Sequence, residues 1–83
     1  MDKSIFKITK GDYITLQDLL KFENLVSSGG EAKAVINDGM VKVNGEIETR
    51  RGKKLRAGDV VVFLEDEVEV QIWKNIKSSK FGF

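Results

Sequence analysis

The chain has 83 residues, enough for one small core, and its 41% hydrophobic and 33% charged residues form an ordinary globular balance that argues against disorder. Cys and His are both absent, which removes disulfides, thiolate metal sites, the commonest metal ligand and the usual general base. The net charge of +1 does not by itself point to a polyanionic partner. Its distribution does. Residues 42 to 58 hold six cations and two anions, whereas residues 59 to 70 hold five anions and no cation. Such segregation predicts a dipolar surface, attractive to polyanions at one end. No apolar run reaches membrane-spanning length and MDKSIFKITK lacks a signal-peptide core, so a cytoplasmic protein is expected.

In chain order, SIFKIT reads as a short strand and Gly11-Asp12 as a turn. Thr15 then suits a helix N-cap, with Asp18 at the third helical position and Ile14 placed to staple onto Leu19. Leu16, Leu19 and Leu20 share one helical face, and Asn24, which tolerates the left-handed conformation, marks the end. A second helix starts at S-G-G-E, where Ser28 caps and Glu31 answers three residues on. Ala32, Val35 and Ile36 form its apolar stripe, Lys33 and Asn37 point away, and Gly39 stops it. The connector of Leu25 to Ser28 is short enough for the helices to pack as a pair.

After Gly39 the hydrophobic period changes to two. MVKVNGEIE reads as a hairpin about Asn44-Gly45. A two-residue loop would set Val43 opposite Glu46; a three-residue loop with a bulge would set Val43 opposite Ile47, and is preferred here because it buries more apolar area. A cationic connector follows, then a turn at Ala57-Gly58-Asp59 into VVVFL, a strand apolar on both faces and therefore central. Glu65-Asp66-Glu67 reads as the next, solvated turn. VEVQIW alternates, with Val68, Val70 and Ile72 inward, and residues 74–83 form a loosely held tail. The expected fold class is α+β: two short packed helices against a small, mostly antiparallel sheet, in a single domain over 1–83.

The stretch from Ile14 to Phe63 carries an ordered set of motifs: LQDLLK, S-G-G-E-A-K, G-M-V-K-V-N-G and L-R-A-G-D-V. Together they resemble the S4 RNA-binding domain, or αL motif, and the whole chain is similar to the small stand-alone bacterial S4 proteins of the YaaA type. The resemblance implies an αL-motif fold and non-enzymatic binding of structured RNA, of the ribosomal or transfer RNA class; a monomer, with the ribosome as one place of action, is the accompanying expectation. It also implies an RNA surface made by the start of the second helix, its outward basic residue, and the hairpin with its following loop. In this chain those positions are Ser28, Lys33, Lys42, Arg50, Arg51, Lys53 and Lys54; Arg56 completes the connector's cations. One departure stands out: many S4 domains place Arg directly after the capping Ser, where this chain has Gly29.

Each signal has a plainer reading. Arg50 to Arg56 could be a solvated connector, although Arg grips phosphate oxygens bidentately, Gly52 allows close approach, and Leu55 is placed to anchor the loop inward. Ser28-Gly29-Gly30 certainly caps a helix; its free N–H groups could also seat a phosphate. Asp12, Asp18, Glu23 and Asp38 are better explained by capping and turns than by a metal or acid/base site. Tyr13 and Trp73 could stack on bases, but packing at the core edge is their commoner role. No catalytic residue or cofactor is expected. A competing reading, a protein-interaction or β-grasp-like carrier module, fits the size, but Lys80-Phe81-Gly82-Phe83 lacks the Gly-Gly end such carriers need.

Overall fold

The computed structural model describes residues 2–72; Trp73 and the tail expected over 74–83 lie outside the described residues. The first strand, β1 (Asp2–Ile8), is followed by a turn with left-handed Gly11 that leads to the short strand β2 (Ile14–Thr15). Helix α1 (Leu16–Phe22) starts as its sequence dictates: Thr15 Oγ1 accepts the Asp18 N–H at 3.4 Å. It closes through Asn24, whose φ of 61° is the left-handed exit expected there.

Helix α2 (Gly29–Asn37) is capped by Ser28, whose Oγ accepts the Glu31 N–H at 3.2 Å, and is terminated by left-handed Gly39. The capping box is displaced by one residue. Glu31 reaches past the cap to take the Ser27 N–H and hydroxyl, both at 2.8 Å. The segment between the helices runs from 23 to 28, slightly longer than the connector read from the sequence.

Strands β3 (Val41–Val43) and β4 (Glu46–Ile47) form the hairpin, but with the two-residue loop: Val43 pairs with Glu46 and Lys42 with Ile47. The preferred bulged register is overturned. Asn44 at φ 54° and Gly45 at φ 89° supply the two positive φ values of a type I′ turn. The Asn44 side chain also accepts the Val60 N–H and donates to Asp59, which fixes the loop against the next strand. Ile47 is left exposed as a result.

The cationic connector contains a strand of its own, β5 (Lys54–Leu55), paired antiparallel with β2. Strands β6 (Val60–Phe63) and β7 (Asp66–Ile72) follow. Their turn is Leu64-Glu65, with Leu64 left-handed, so Asp66 and Glu67 belong to the strand rather than to the turn expected at 65–67.

The main sheet has the order β1-β7-β6-β3-β4. All its pairs are antiparallel except β1 with β7, which run parallel at one edge. Alternate residues Val41, Val43, Val61, Phe63, Val68 and Val70 are buried in one cluster with Leu16, Leu19, Leu20, Ala32 and Ile36 of the helices. The helix pair therefore covers one face of a sheet whose central strand is β6, as expected for the α+β class.

Candidate nucleic-acid interface

The connector is fixed by its backbone. The N-terminal N–H groups of a helix have no partner within the helix, and here the connector's carbonyls supply them: Leu16 N donates to Lys53 O at 2.8 Å and Gln17 N to Arg51 O at 3.1 Å. A turn bond from Lys53 N to Arg50 O closes the loop. Leu55, wholly buried, anchors its far side. With carbonyls and Leu55 turned inward, the side chains of Arg50, Arg51, Lys54 and Arg56 are exposed, and that of Lys53 half-buried.

Arg50 is the one cation of the connector held in an ion pair among the described residues. Its Nε and Nη2 donate to the two carboxylate oxygens of Glu48 at 3.0 and 3.3 Å, and its backbone N–H adds a third bond. Hydrogen bonds from the Arg50 side chain and backbone hold the Glu48 carboxyl below the usual carboxylate range, with Lys53 adding a smaller attraction; the same pairing raises the Arg50 guanidinium. Arg50 nevertheless keeps 73% of its side chain exposed, so an outward face remains for a second anion.

Lys54 and Arg56 flank Leu55 on the opposite side of β5 and converge on Tyr13, which precedes β2. The Lys54 Nζ lies 5.1 Å and the Arg56 Cζ 5.9 Å from the ring centroid, within the range of cation–π attraction. Sequence reasoning placed Tyr13 at the core edge; the structure leaves it 42% exposed beside two cations. The signal existed only across strands, because the pairing of Ile14 with Leu55 sets the residues just beyond each strand against one another.

The second half of the site sits at the other end of α1. Ser28 and Lys33 are exposed on α2, and Gly29 faces Lys21 of α1: a Cβ at Gly29 would lie 4.0 Å from the Lys21 Nζ. Seven helical residues, roughly 10 Å, thus separate the connector from the start of α2. Glu31 is held below its ordinary range by the Ser27 backbone and hydroxyl bonds, so its charge stays at this end. Lys42 stands apart. It lies between buried Val41 and Val43, hence on the sheet face turned away from the helices, in register with Val62 and Ile47.

Of the carboxylates considered for metal or acid/base chemistry, Asp18 lies 3.8 Å from Lys21, Glu23 accepts the Ser4 hydroxyl, and Asp38 stands at the C-terminal cap of α2, where its backbone N–H bonds to Ala34 O. No metal-binding group of three such residues exists among the described residues, and no described helix is long and apolar enough to cross a membrane.

The chain has known relatives, and they are consistent with one another. Residues 6–71 match the family model described as the S4 domain. The chain belongs to the S4 domain family. It is 43% identical over 65 residues to "Putative RNA-binding protein YbcJ" of Escherichia coli, covering 78% of this chain and 93% of that one. It is 46% identical over 50 residues to "Probable ribosome maturation protein RlbA" of Bacillus subtilis, covering 60% of this chain and 70% of that one. The solution structure of Escherichia coli YbcJ, described as revealing an αL motif involved in RNA binding, superposes with a TM-score of 0.63 at 42% identity, covering 81% of this chain and 85% of that one. The α+β, αL-motif architecture expected from the sequence is therefore the one observed, and membership of this family makes the protein a non-enzymatic binding module.

Proposed function

We propose that this protein binds structured RNA of the ribosomal or transfer RNA class, as a monomer, through the connector Arg50, Arg51, Lys53, Lys54 and Arg56 together with Ser28 and Lys33 of α2. The observation that carries this reading is the latch. Arg51 and Lys53 cap α1 with their carbonyls, so the loop's main chain is ordered before any partner arrives and only its side chains remain to be fixed on binding. Kinship with an RNA-binding protein by name and with a ribosome maturation protein by name supports RNA over other polyanions.

The mechanism is electrostatic capture followed by recognition of shape. Cations on the connector and on α2, a helix length apart, meet phosphates across a groove or junction of the RNA. Helical RNA hides its base edges in a deep major groove, so readout of paired bases is limited. Lys42, on the far sheet face, has the smallest share.

If about five phosphates are contacted, log affinity falls against log salt with a slope of roughly −3 to −5. The decisive variant is Arg51→Glu with Lys54→Glu, since both side chains are exposed and neither is held in an ion pair among the described residues. Filter binding to a ribosomal RNA stem–loop should show a large loss of affinity and a slope shallower by about 1.5–2. Unchanged affinity and slope in a folded variant would overturn the assignment.

A further inference from the structure

We infer that Tyr13 is a stacking platform for one unpaired nucleobase of the bound RNA, a contact that rests on the RNA-binding reading and extends it from phosphates to a base. Tyr13 belongs to two features of different chemistry. Lys54 and Arg56 lie over its ring, 5.1 and 5.9 Å from the centroid. The same residue lines an open groove of about 820 Å³ with apolar Phe6, Ile8, Ile14 and Phe22, and with Lys7, Lys10 and Asp18 among its polar members. Within it Phe6 and Phe22 stack with ring centroids 5.9 Å apart.

A purely structural role accounts poorly for this tyrosine. It is 42% exposed and lies outside the buried cluster, and among the described residues no hydrogen bond holds its hydroxyl. What the surroundings offer is a partly exposed aromatic ring at a mostly apolar groove, with Lys54 and Arg56 beside the ring. The occupant that uses both is a nucleotide: its base supplies a π-face for the ring and its phosphate an anion for Lys54 and Arg56. An apolar peptide would leave the cations unused, and an acidic peptide would leave the aromatic surface unused. Because the base is held by its face and not by its edges, the platform accepts any base.

The geometry gives Tyr13 a preference that the phosphate contacts lack: it favours RNA in which a nucleotide is unpaired beside a helix. The test uses the full chain and two synthetic RNAs, a stem–loop with one bulged 2-aminopurine and the same stem fully paired. Removing an aromatic platform costs about 5- to 150-fold in affinity per stacked base. Tyr13→Leu should lose that much on the bulged RNA, keep its affinity for the paired stem, and keep the salt slope on both. Tyr13→Phe should bind like the wild type, and wild type alone of the wild-type and Leu forms should quench the 2-aminopurine. Equal losses on both RNAs, or a shallower slope, would mean that Tyr13 only positions Lys54 and Arg56, which overturns the platform. Tight binding unaffected by Tyr13→Leu also overturns it while leaving the RNA reading intact. Failure of the wild type to bind either RNA sinks the parent reading itself.

Discussion

The two helices begin with the same chemistry and finish it differently. Each opens on a hydroxyl cap, Thr15 for α1 and Ser28 for α2, with an acidic residue three positions on. At α1 the cap is only part of the closure: the carbonyls of Lys53 and Arg51 take the Leu16 and Gln17 N–H groups. At α2 no carbonyl from another element covers Gly29 or Gly30 among the described residues, and Glu31 turns outward to Ser27. One helix start is thus an internal joint between the fold and the cationic connector. The other is a surface feature that stands on its own cap. A similar local sequence leads to different roles according to what the rest of the chain brings to it.

The strongest way to break the joint is Leu55→Ala. It empties a wholly buried position between β2 and the core and should cost roughly 2–5 kcal/mol in urea unfolding. The α2 cap should matter less. Ser28→Ala removes the acceptor of the Glu31 N–H, at about 1 kcal/mol. Thr15→Ala should cost less than Ser28→Ala, because its bond is longer at 3.4 Å and two neighbouring N–H groups stay capped by the connector. Finding Thr15→Ala the costlier of the two would show that the carbonyl latch does not carry α1.

The smallest effect concerns acid. Glu48 is held below its ordinary value of 4.5 by Arg50, so its contribution is fully present above that value and is lost as pH falls through the lower folded value. Urea midpoints of wild type and Glu48→Gln should therefore differ at neutral pH and converge in acid. A gap that persists or widens below the folded value would rule out the carboxylate as its source.

What was legible in the sequence was what neighbours decide. Both caps, the left-handed Asn24 and Gly39, and the apolar stripes of α1 and α2 depend on residues within one or two turns, and each stands where it was placed. The hairpin register was not legible in the same way. Apolar area favoured the bulged loop, but Asn44 bonds to Asp59 and Val60, some 15 and 16 residues along the chain, and those distant bonds favour the tighter turn. The parallel alignment of β1 with β7 likewise needs partners from opposite ends of the described chain.

The candidate site divides similarly. Cation density announced the connector, and Leu55 could be picked out as its anchor. The Glu48 chelate of Arg50 was visible only as an acidic residue two places away, and Tyr13 only becomes part of the site once β2 lies beside β5. Lys42 shows the converse: placed by family position among the contacts, it alternates with buried valines onto the far face of the sheet.

The Arg51 and Lys53 carbonyls hold the loop through groups that every residue possesses. The rim can therefore change its letters while its shape persists. Replacing Arg51 by Lys, Gln or Ser would change the charge and reach of the rim and leave in place the carbonyl that accepts the Gln17 N–H. Local folding and surface chemistry are written in separate parts of the same few residues, one in the main chain and one in the side chains, and selection can edit the second without erasing the first.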